Sequence, residues 1–383
     1  MNRPDQLLRK LNQAGYAAYF VGGCVRDTLL GREIHDWDIT TAALPEQIMR
    51  VFPHCIPTGV KHGTVTVLDG GTQAEITTFR RDGAYHDGRH PQSVQFVPSL
   101  REDLARRDFT INAMAMDEAG QITDLFGGKA DLAQKILRCV GEPDKRFQED
   151  ALRMLRALRF SAQLGFSIEE ETFAALGRNA ALCRQLSRER VRDEAEKTLL
   201  SARPETLGTM LSLGLLSACG AKGEADLRPL RAVPAVPEAR WAMGKVLLPE
   251  LALEQFRLSA KLTRLANAAA AAYKERYTRQ ELKQLIAEEG ADTARVCAML
   301  SKQTALLEEI IGSGECVSLK ALCVTGRDFP ALRGRDVGKT LRALFSHVLL
   351  HPEDNDRQTL LRLAEEWAQQ ASDVDGDEHV GDV

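Results

Sequence analysis

The first third of the chain alternates short apolar segments with polar turns, a pattern typical of strands and helices packed on a sheet. The periodicity predicts a helix from Pro4 to Ala14 and a short strand from Ala17 to Val21. Alternating β-branched residues predict a strand over 60–68, and a partner strand over 74–79 follows the turn Asp69-Gly70-Gly71. This region is therefore expected to combine short strands with helices.

From Gly141 onward the pattern is helical almost without interruption, and one continuous helix is predicted over 147–164. Residues spaced by three share one broad face of a helix. The polar face of this helix is predicted to contain Asp150, Arg153, Arg156 and Arg159. The opposite, buried face is predicted to contain Leu152, Leu155, Leu158 and Phe160. A solvated face with ion pairs would explain the charges as well as a binding surface does.

Composition changes this picture only in part. A length of 383 residues exceeds what one hydrophobic core usually supports, so two to four domains are expected. No apolar run is long enough for a membrane helix, and the N-terminus does not read as a signal peptide. Eight cysteines without a Cys-x-x-Cys pair indicate neither a zinc site nor a disulfide framework. A reduced, cytoplasmic protein is expected.

The first segment with recognisable chemistry is Val21-Gly22-Gly23-Cys24-Val25-Arg26-Asp27, which joins the first strand to a helix. Paired glycines allow positive φ angles and a close approach of the backbone to a ligand. The helix start that follows suits phosphate, and Arg26 on its first turn can reach the same anion. The segment therefore predicts a phosphate cradle.

Asp36 and Asp38 follow about ten residues later and would project side by side from a strand, with Trp37 and Ile39 turned into the core. Mg²⁺ is usually held by one or two carboxylates together with substrate phosphate oxygens. Considered alone, Asp36 and Asp38 would be interpreted as solvated acids on an edge strand. Next to the phosphate cradle it predicts metal-dependent nucleotidyl transfer. Glu75 is a candidate third carboxylate, although an outward-facing, solvated side chain explains it equally well.

The segment from Gly22 to Gly31, followed by Asp36-Trp37-Asp38, resembles the class II nucleotidyltransferases of the polymerase β superfamily. That class contains the tRNA CCA-adding enzymes and the bacterial poly(A) polymerases. The stretch Arg106 to Ala113 resembles the family's Arg-Arg-Asp-Phe-Thr-x-Asn-Ala motif, which implies that Arg107 contacts the nucleotide. Glu149-Asp150-Ala151-Leu152-Arg153 resembles the Glu-Asp-x-x-Arg motif that reads the incoming base without a nucleic-acid template. Arg156 and Arg159 match further nucleotide-contacting arginines.

The chemistry of the base-reading motif agrees with this resemblance. Cytosine and adenine both present an amino donor beside a ring-nitrogen acceptor, whereas guanine and uracil present a carbonyl beside an N–H. A carboxylate at Asp150 that accepts from the amino group, beside an Arg153 that donates to the ring nitrogen, would accept C and A and reject G and U.

The resemblance implies an α+β fold, with a polymerase-β-like head that contains a mixed β-sheet and all-α neck, body and tail modules after it. The predicted divisions are a head at 1–138, a neck with the base-reading helix at 139–203, a body at 204–300, a tail at 301–372 and an acidic disordered end at 373–383. In the implied reaction Asp36 and Asp38 hold two Mg²⁺ ions, and Gly23 and Arg26 cradle the phosphates. The implied partners are tRNA, with CTP and ATP as substrates, and a homodimer stays open.

Several alternatives remain at this point. Full CCA addition is favoured, and an enzyme that adds only A shares the long polar segment at 80–100, which resembles the family's flexible loop. A poly(A) polymerase is disfavoured because no Gly-Arg-Arg-Phe-like stretch occurs between Pro45 and Phe79, and CC-adding enzymes tend to lack the loop. An inactive RNA-binding protein is disfavoured because both aspartates are intact. His35-Asp36 and His86-Asp87 imitate an HD phosphohydrolase, but no histidine lies between His90 and His347 to complete such a site.

The net charge of −4 is the main objection to an RNA partner, so binding would need a local cluster of positive charge. Between Arg257 and Lys283 the chain has seven Lys or Arg against two acids, which predicts a phosphate-contacting surface. A solvated pair of helices explains the same pattern at least as well. The helix expected over 187–200 resembles a family segment thought to brace the base-reading helix, so its charges are expected to be structural.

Overall fold

The computed structural model describes residues 3–34, 36–69, 71–83 and 94–377. The described strands are β1 Ala18–Val21, β2 Asp38–Thr41, β3 Cys55–Gly59, β4 Thr64–Asp69, β5 Thr72–Thr78, β6 Arg80–Asp82, β7 Val94–Phe96, β8 Met114–Met116, β9 Ile122–Asp124, β10 Ile136–Leu137 and β11 Ser167–Ile168. The helices of the N-terminal part are α1 Asp5–Gln13, α2 Gly23–Leu29, α3 Pro45–Val51, α4 Leu100–Ala105, α5 Gly128–Gln134, α6 Pro143–Glu149, α7 Leu152–Leu164, α8 Glu170–Asn179, α9 Arg188–Leu199 and α10 Thr206–Ser212. Those of the C-terminal part are α11 Pro237–Leu247, α12 Ala260–Ala272, α13 Arg279–Glu289, α14 Ala291–Leu300, α15 Thr304–Gly312, α16 Arg335–Leu350 and α17 Arg357–Asp377.

Seven of the described strands form one mixed sheet in the order β3-β4-β5-β2-β1-β8-β9. Strands β2 and β5 are parallel, with Asp38 opposite Glu75, while β1 is antiparallel to both β2 and β8. Apolar residues at alternate positions of these strands are buried, and so are the leucines of one face of α1. The α+β class and the mixed sheet predicted from the sequence are confirmed.

The local predictions for the sheet are mostly confirmed, with shifted ends. The strand expected over 60–68 begins at Thr64, because residues 60–62 form a 3₁₀ turn that ends at Gly63 with a φ of 81°. Gly70 lies outside the described residues. The ends of the polar segment 80–100 pair as the ribbon of β6 and β7 and lead into α4, a pairing that the sequence pattern did not indicate. Residues 84–93, with His86-Asp87, are not described.

The helix predicted over 147–164 is instead two helices, α6 and α7. Asp150 separates them in an extended conformation, with φ −143° and ψ 105°. Its side chain accepts a hydrogen bond from the backbone N–H of Leu152 at 3.0 Å. An aspartate that captures a backbone donor in this way starts a helix rather than continuing one. The shared helical face predicted for Asp150 and Arg153 was therefore wrong.

Contacts divide the chain into two compact units, Met1–Arg231 with Glu254–Arg257, and Ala232–Leu253 with Leu258–Val383. The first contains the sheet and the helices to α10, and the second consists of helices. The boundaries expected at 138, 203 and 300 stay predictions. Helix α17 includes residues 373–377, for which the sequence predicted disorder, and 378–383 lie outside the described residues. Within the described ranges, no helix combines the length and apolar character needed to cross a membrane.

Candidate active site

A polar cavity of about 490 Å³ opens in the first unit, where the turn after β1 meets β2 and α7. Its lining consists of Gly22, Gly23, Cys24, Arg26, Asp27, Glu33, Ile34, Asp36, Asp38, Arg107, Asp108, Asn112, Arg156, Arg159 and Phe160. The structure therefore gathers most of the residues singled out from the sequence, although they come from segments more than a hundred residues apart. The exceptions are Glu75, Asp150 and Arg153.

The glycine turn has one position that only glycine suits. Gly22 has a φ of 76°, and a Cβ atom there would lie 3.1 Å from Nη1 of Arg107 and 3.6 Å from Oδ2 of Asp38. Gly23 begins α2 without a positive φ, and the nearest atom to its Cβ position is Nη2 of Arg26 at 3.6 Å. Both glycines line the cavity, and Gly22 brings the backbone against the side chains of Arg107 and Asp38.

Arg26 is held rigidly where α2 faces the cavity. It is buried, and it donates to both carboxylate oxygens of Asp27 at 3.0 and 2.8 Å and to Oδ1 of Asn112 at 2.8 Å. A guanidinium held by three hydrogen bonds loses little further conformational freedom when it meets a phosphate.

Asp36 and Asp38 both line the cavity, while Trp37 and Ile39 between and beside them are buried, as the sequence predicts. Burial raises the pKa of Asp38, Arg107 opposes the rise, and the charges of Glu75 and Asp36 add to it. The three carboxylates are therefore close enough to repel one another electrostatically. Within the described part of the chain, no group of three or more His, Cys, Asp or Glu side chains has the spacing of a metal site. Two cavity carboxylates that need phosphate oxygens to complete the ligand set do fit Mg²⁺.

Arg107 reaches the same glycine turn, and its positive charge acts on Asp38. Its Nη2 donates to Oδ2 of Asp103 at 3.2 Å, and its Nε has no hydrogen-bond partner. Asp103 is fully buried. Burial opposes its ionisation, but the charges and hydrogen bonds of Arg106 and Arg107 outweigh burial and hold the pKa of Asp103 below its ordinary value.

Helix α7 contributes two arginines and a phenylalanine to the cavity. Arg156 donates to Oδ2 of Asp108 through Nε at 2.8 Å and Nη2 at 2.6 Å, and Arg159 is paired with Glu194 of α9. Burial of Asp108 opposes ionisation, yet Arg156 outweighs it and lowers the pKa of Asp108 to about 2. Both arginines thus reach the cavity with their own counter-charges.

The phenylalanine is Phe160, whose ring is surrounded by three guanidinium groups. The ring centroid lies 5.2 Å from Cζ of Arg26, 5.1 Å from that of Arg156 and 4.0 Å from that of Arg159. Sequence reasoning assigned Phe160 to the buried face and missed this contact. The only available signal was an aromatic residue directly after the last arginine of the series.

Asp150 and Arg153 lie outside the cavity lining, and different partners hold their side chains. Asp150 accepts from Nη2 of Arg190 on α9 at 2.9 Å. Arg153 is buried, and it is paired with Glu149 at 2.6 Å and donates to the backbone carbonyl of Arg106 at 2.9 Å. Each of the two side chains is therefore held by partners of its own. The helix predicted over 187–200 is present as α9, and Arg190 and Glu194 on it do brace the α7 region.

The basic segment 257–283 is less available for phosphate than its composition predicts. Lys283 is buried and paired with Glu315 at 2.8 Å, and Arg279 is paired with Glu309 and Glu315. Lys274 is paired with Glu281 at 3.0 Å, and Lys261, which is largely exposed, lies 3.8 Å from a likewise exposed Asp292. A surface role for Lys283 is therefore wrong.

A cavity that combines paired carboxylates, a glycine turn and several fixed guanidinium groups defines the chain as a nucleotidyltransferase by class. Comparison with known proteins agrees. Residues 18–138 match the family described as "Poly A polymerase head domain", and residues 165–219 match that described as "Probable RNA and SrmB- binding site of polymerase A".

Relatives of similar sequence and structure define the family more narrowly than these two family models. A CCA-adding enzyme of Lactiplantibacillus plantarum is 39% identical over 386 residues, which cover 94% of each chain. A CCA-adding enzyme of Ligilactobacillus salivarius is 53% identical over 210 residues, 53% of this chain and 52% of that one. The crystal structure of the Bacillus stearothermophilus CCA-adding enzyme in complex with CTP matches with a TM-score of 0.81 and 35% identity, over 97% of this chain and 100% of that chain. The chain belongs to the family of CCA-adding enzymes.

Proposed function

We propose that this protein adds C, C and A to the 3′ end of tRNA, using CTP and ATP and releasing pyrophosphate. The observation that carries the proposal is the single cavity in which Asp36 and Asp38 face Arg26, Arg107, Arg156 and Arg159. Family membership over nearly the whole chain narrows this nucleotidyl transfer to CCA addition. The tRNA is proposed to contact the helical modules, and the cytoplasm is the proposed location.

The proposed reaction is an in-line displacement at phosphorus. The terminal ribose hydroxyl of the RNA forms a bond to the α-phosphate of the nucleotide, and the bond to pyrophosphate breaks. Gly23 and Arg26 are proposed to cradle the triphosphate, and Arg107 to orient it beside Asp38. Fixed positive groups placed where charge develops stabilise such a transition state without reorganisation.

Nucleotidyltransferases of this family generally use divalent metal ions. We propose Mg²⁺, held by Asp36 and Asp38 together with phosphate oxygens, with Glu75 as a nearby carboxylate that adds negative charge. Bound there, the ion supplies activation of the 3′-hydroxyl and neutralisation of the leaving pyrophosphate.

Base selection is proposed to use Asp150 and Arg153. Arg190 holds Asp150, and Glu149 and the carbonyl of Arg106 hold Arg153. A carboxylate and a guanidinium both keep further hydrogen-bonding positions for a base beside these contacts. Support for this role comes from the family motif and from the hydrogen-bond complementarity to C and A.

The test of the function uses the purified protein with MgCl₂ and three tRNAs that end before CCA, after C and after CC. Each tRNA is offered CTP, ATP or both. Stepwise addition of two C residues and one A is expected. Activity only on the CC-ending tRNA with ATP would identify an A-adding enzyme, and long A tails would identify a poly(A) polymerase.

Asp38→Ala is expected to abolish incorporation while tRNA affinity stays nearly unchanged, because the carboxylate is needed for chemistry and not for holding RNA. Gel-based incorporation and a filter-binding titration measure the two quantities. Asp69→Ala is the matched control, since Asp69 lies in the same sheet and is paired only with Lys10 in an exposed contact. Loss of tRNA binding in Asp38→Ala would mean that the carboxylate is structural.

A further inference from the structure

Asp103 is a fully buried carboxylate that lies behind the cavity without lining it. Its Oδ1 accepts from Nε of Arg106 at 3.0 Å and, over a long 3.4 Å, from the backbone N–H of Arg80. Its Oδ2 accepts from Nη2 of Arg107 at 3.2 Å and from the hydroxyl of Thr40 at 3.2 Å. One side chain thus joins α4, the catalytic strand β2 and the first residue of the β6–β7 ribbon.

The partners of Asp103 are close to the reacting groups. Thr40 lies two residues after Asp38 on β2, so Asp103 is anchored to the strand that presents the catalytic carboxylate. Nη1 of Arg107 lies beside Gly22, and the charge of Arg107 acts on Asp38. Asp103 therefore contacts both Arg107 and the strand that contains Asp38.

Burial makes this connection stiff. A carboxylate removed from water is costly unless it is paired and hydrogen-bonded, so its partners are held to it. A planar guanidinium fixed at one end presents its other N–H groups in a set direction. Without that anchor, Arg107 would gain rotamers, and binding a nucleotide would have to restrict them again.

We propose that Asp103 is a positioning residue, which holds the Arg107 guanidinium in the orientation that binds the incoming nucleotide beside Asp38. This inference rests on the proposed function in one respect, namely that Arg107 contacts the nucleotide. It assigns to Asp103 a role exerted through Arg107 alone.

The test compares Asp103→Asn with Asp131→Asn. Asp131 is a matched control because it is also buried and accepts from Thr110 at 2.7 Å and from Arg138 at 3.3 Å, outside the cavity. Both variants are expected to lose thermal stability. Only Asp103→Asn is expected to raise the KM and the calorimetric Kd for CTP, by about tenfold, which corresponds to about 1.4 kcal/mol. Its kcat is expected to change much less, and its tRNA affinity to remain that of the wild type.

A double-mutant cycle separates positioning from general structure. If Asp103 acts through Arg107, the double variant of Asp103→Asn and Arg107→Met binds CTP as weakly as Arg107→Met alone. Multiplied effects of the two substitutions would overturn the proposal. An unchanged Kd for CTP in Asp103→Asn, or an equal rise in Asp131→Asn, would overturn it as well.

If Asp103→Asn does not fold, Thr40→Val provides the decisive measurement. It keeps the shape of the side chain and removes the hydroxyl, which lies 3.2 Å from both Oδ2 of Asp103 and the backbone carbonyl of Thr77. Because the other contacts of Asp103 remain, a smaller rise of the Kd for CTP is expected, and no rise contradicts the proposal. A titration of CTP binding tests the role of Asp103 without requiring the protein to extend a tRNA, so it separates this proposal from the proposed function. A wild-type protein that binds CTP but extends no tRNA refutes CCA addition and leaves the role of Asp103 open to the same titration.

Discussion

At the scale of single residues, the cavity is built from arginines that each have a carboxylate of their own. The pairs are Arg26 with Asp27, Arg107 with Asp103, Arg156 with Asp108, and Arg159 with Glu194. Four guanidinium groups near one cavity repel one another, and a local counter-charge for each offsets that repulsion. The same contacts restrict the arginine rotamers, so the cavity is preorganised for a polyanion such as a triphosphate.

Phe160 is the apolar centre of this arrangement. Replacing it with leucine keeps an apolar side chain but removes the ring face that Arg26, Arg156 and Arg159 contact. A cation–π contact contributes about 0.5–1 kcal/mol or more where it is partly desolvated, so Phe160→Leu is expected to raise the KM for CTP and ATP by about three- to tenfold. Steady-state kinetics at saturating tRNA measure the change.

The control for this prediction is Phe166→Leu, because Phe166 is also buried in the first unit and does not line the cavity. Both variants are expected to lower the melting temperature through lost packing. Equal KM values for the Phe160 and Phe166 variants would mean that the ring is only a core residue.

At the scale of elements, the break between α6 and α7 decides which charges face the cavity. Asp150 ends the first helix and turns to Arg190, while Arg156 and Arg159 on the second helix point inward. Two hydrogen bonds from Arg156 to Oδ2 of Asp108 then attach α7 to the segment that follows α4. This contact titrates, and so the attachment of α7 depends on pH.

Because the pKa of Asp108 is lowered to about 2 in the folded protein, its ionised form stabilises the fold. This contribution is fully present above the unfolded-state pKa of about 4 and disappears as the pH falls toward about 2. We expect it to be about 2–3 kcal/mol at neutral pH. Urea unfolding between pH 6 and pH 3 is the measurement, and Asp108→Asn is expected to unfold at lower urea and to show a flatter dependence on pH.

Asp144 provides the comparison for Asp108, since it is also paired with an arginine, Arg178, but in an exposed contact. Exposed ion pairs contribute little to stability. Asp144→Asn is therefore expected to unfold near the wild-type urea concentration at every pH. A loss of stability to urea as large as that of Asp108→Asn would show that the contribution of such an ion pair does not depend on its burial.

At the scale of the whole molecule, a net charge of −4 has to be reconciled with an RNA substrate. The cavity gathers several arginines in one place, and each of them is paired with a carboxylate. These pairs add no net charge, so the protein as a whole can remain acidic. In the second unit, many of the basic residues between 257 and 283 are paired with acids, so composition alone overstates the surface available to phosphates.

Lys283 tests this distinction. It is buried against Glu315, so Lys283→Met is expected to lower the stability by about 1–3 kcal/mol while leaving the Kd for tRNA unchanged. Lys261→Met is the matched variant, because Lys261 is largely exposed, and it is expected to weaken tRNA binding and to reduce its salt dependence without a loss of stability. Thermal melts and filter binding at two salt concentrations measure both. Weaker tRNA binding by Lys283→Met at an unchanged melting temperature would contradict the distinction between a structural Lys283 and an RNA-contacting Lys261.

Local patterns in the sequence, together with the resemblance of its motifs to a known family, were sufficient for the class of fold and for most of the cavity residues. A two-residue period in an extended segment places Asp36 and Asp38 on one side and Trp37 on the other, whatever the rest of the chain does. The glycine pair and Arg26 likewise depend on a few consecutive residues. These features are local, and so are the physical rules that predict them.

Only the tertiary structure decided which charges are partners. Arg156 meets Asp108 across 48 residues of sequence, Arg159 meets Glu194 across 35, and Arg190 meets Asp150 across 40. Helical spacing predicted one continuous helix through Asp150 and Arg153, whereas Asp150 is extended and accepts a hydrogen bond from the backbone N–H of Leu152, so that two helices form. Ion pairs form wherever packing brings opposite charges together in a buried space. Sequence spacing cannot reveal that arrangement until the sheet order and the helix positions are known.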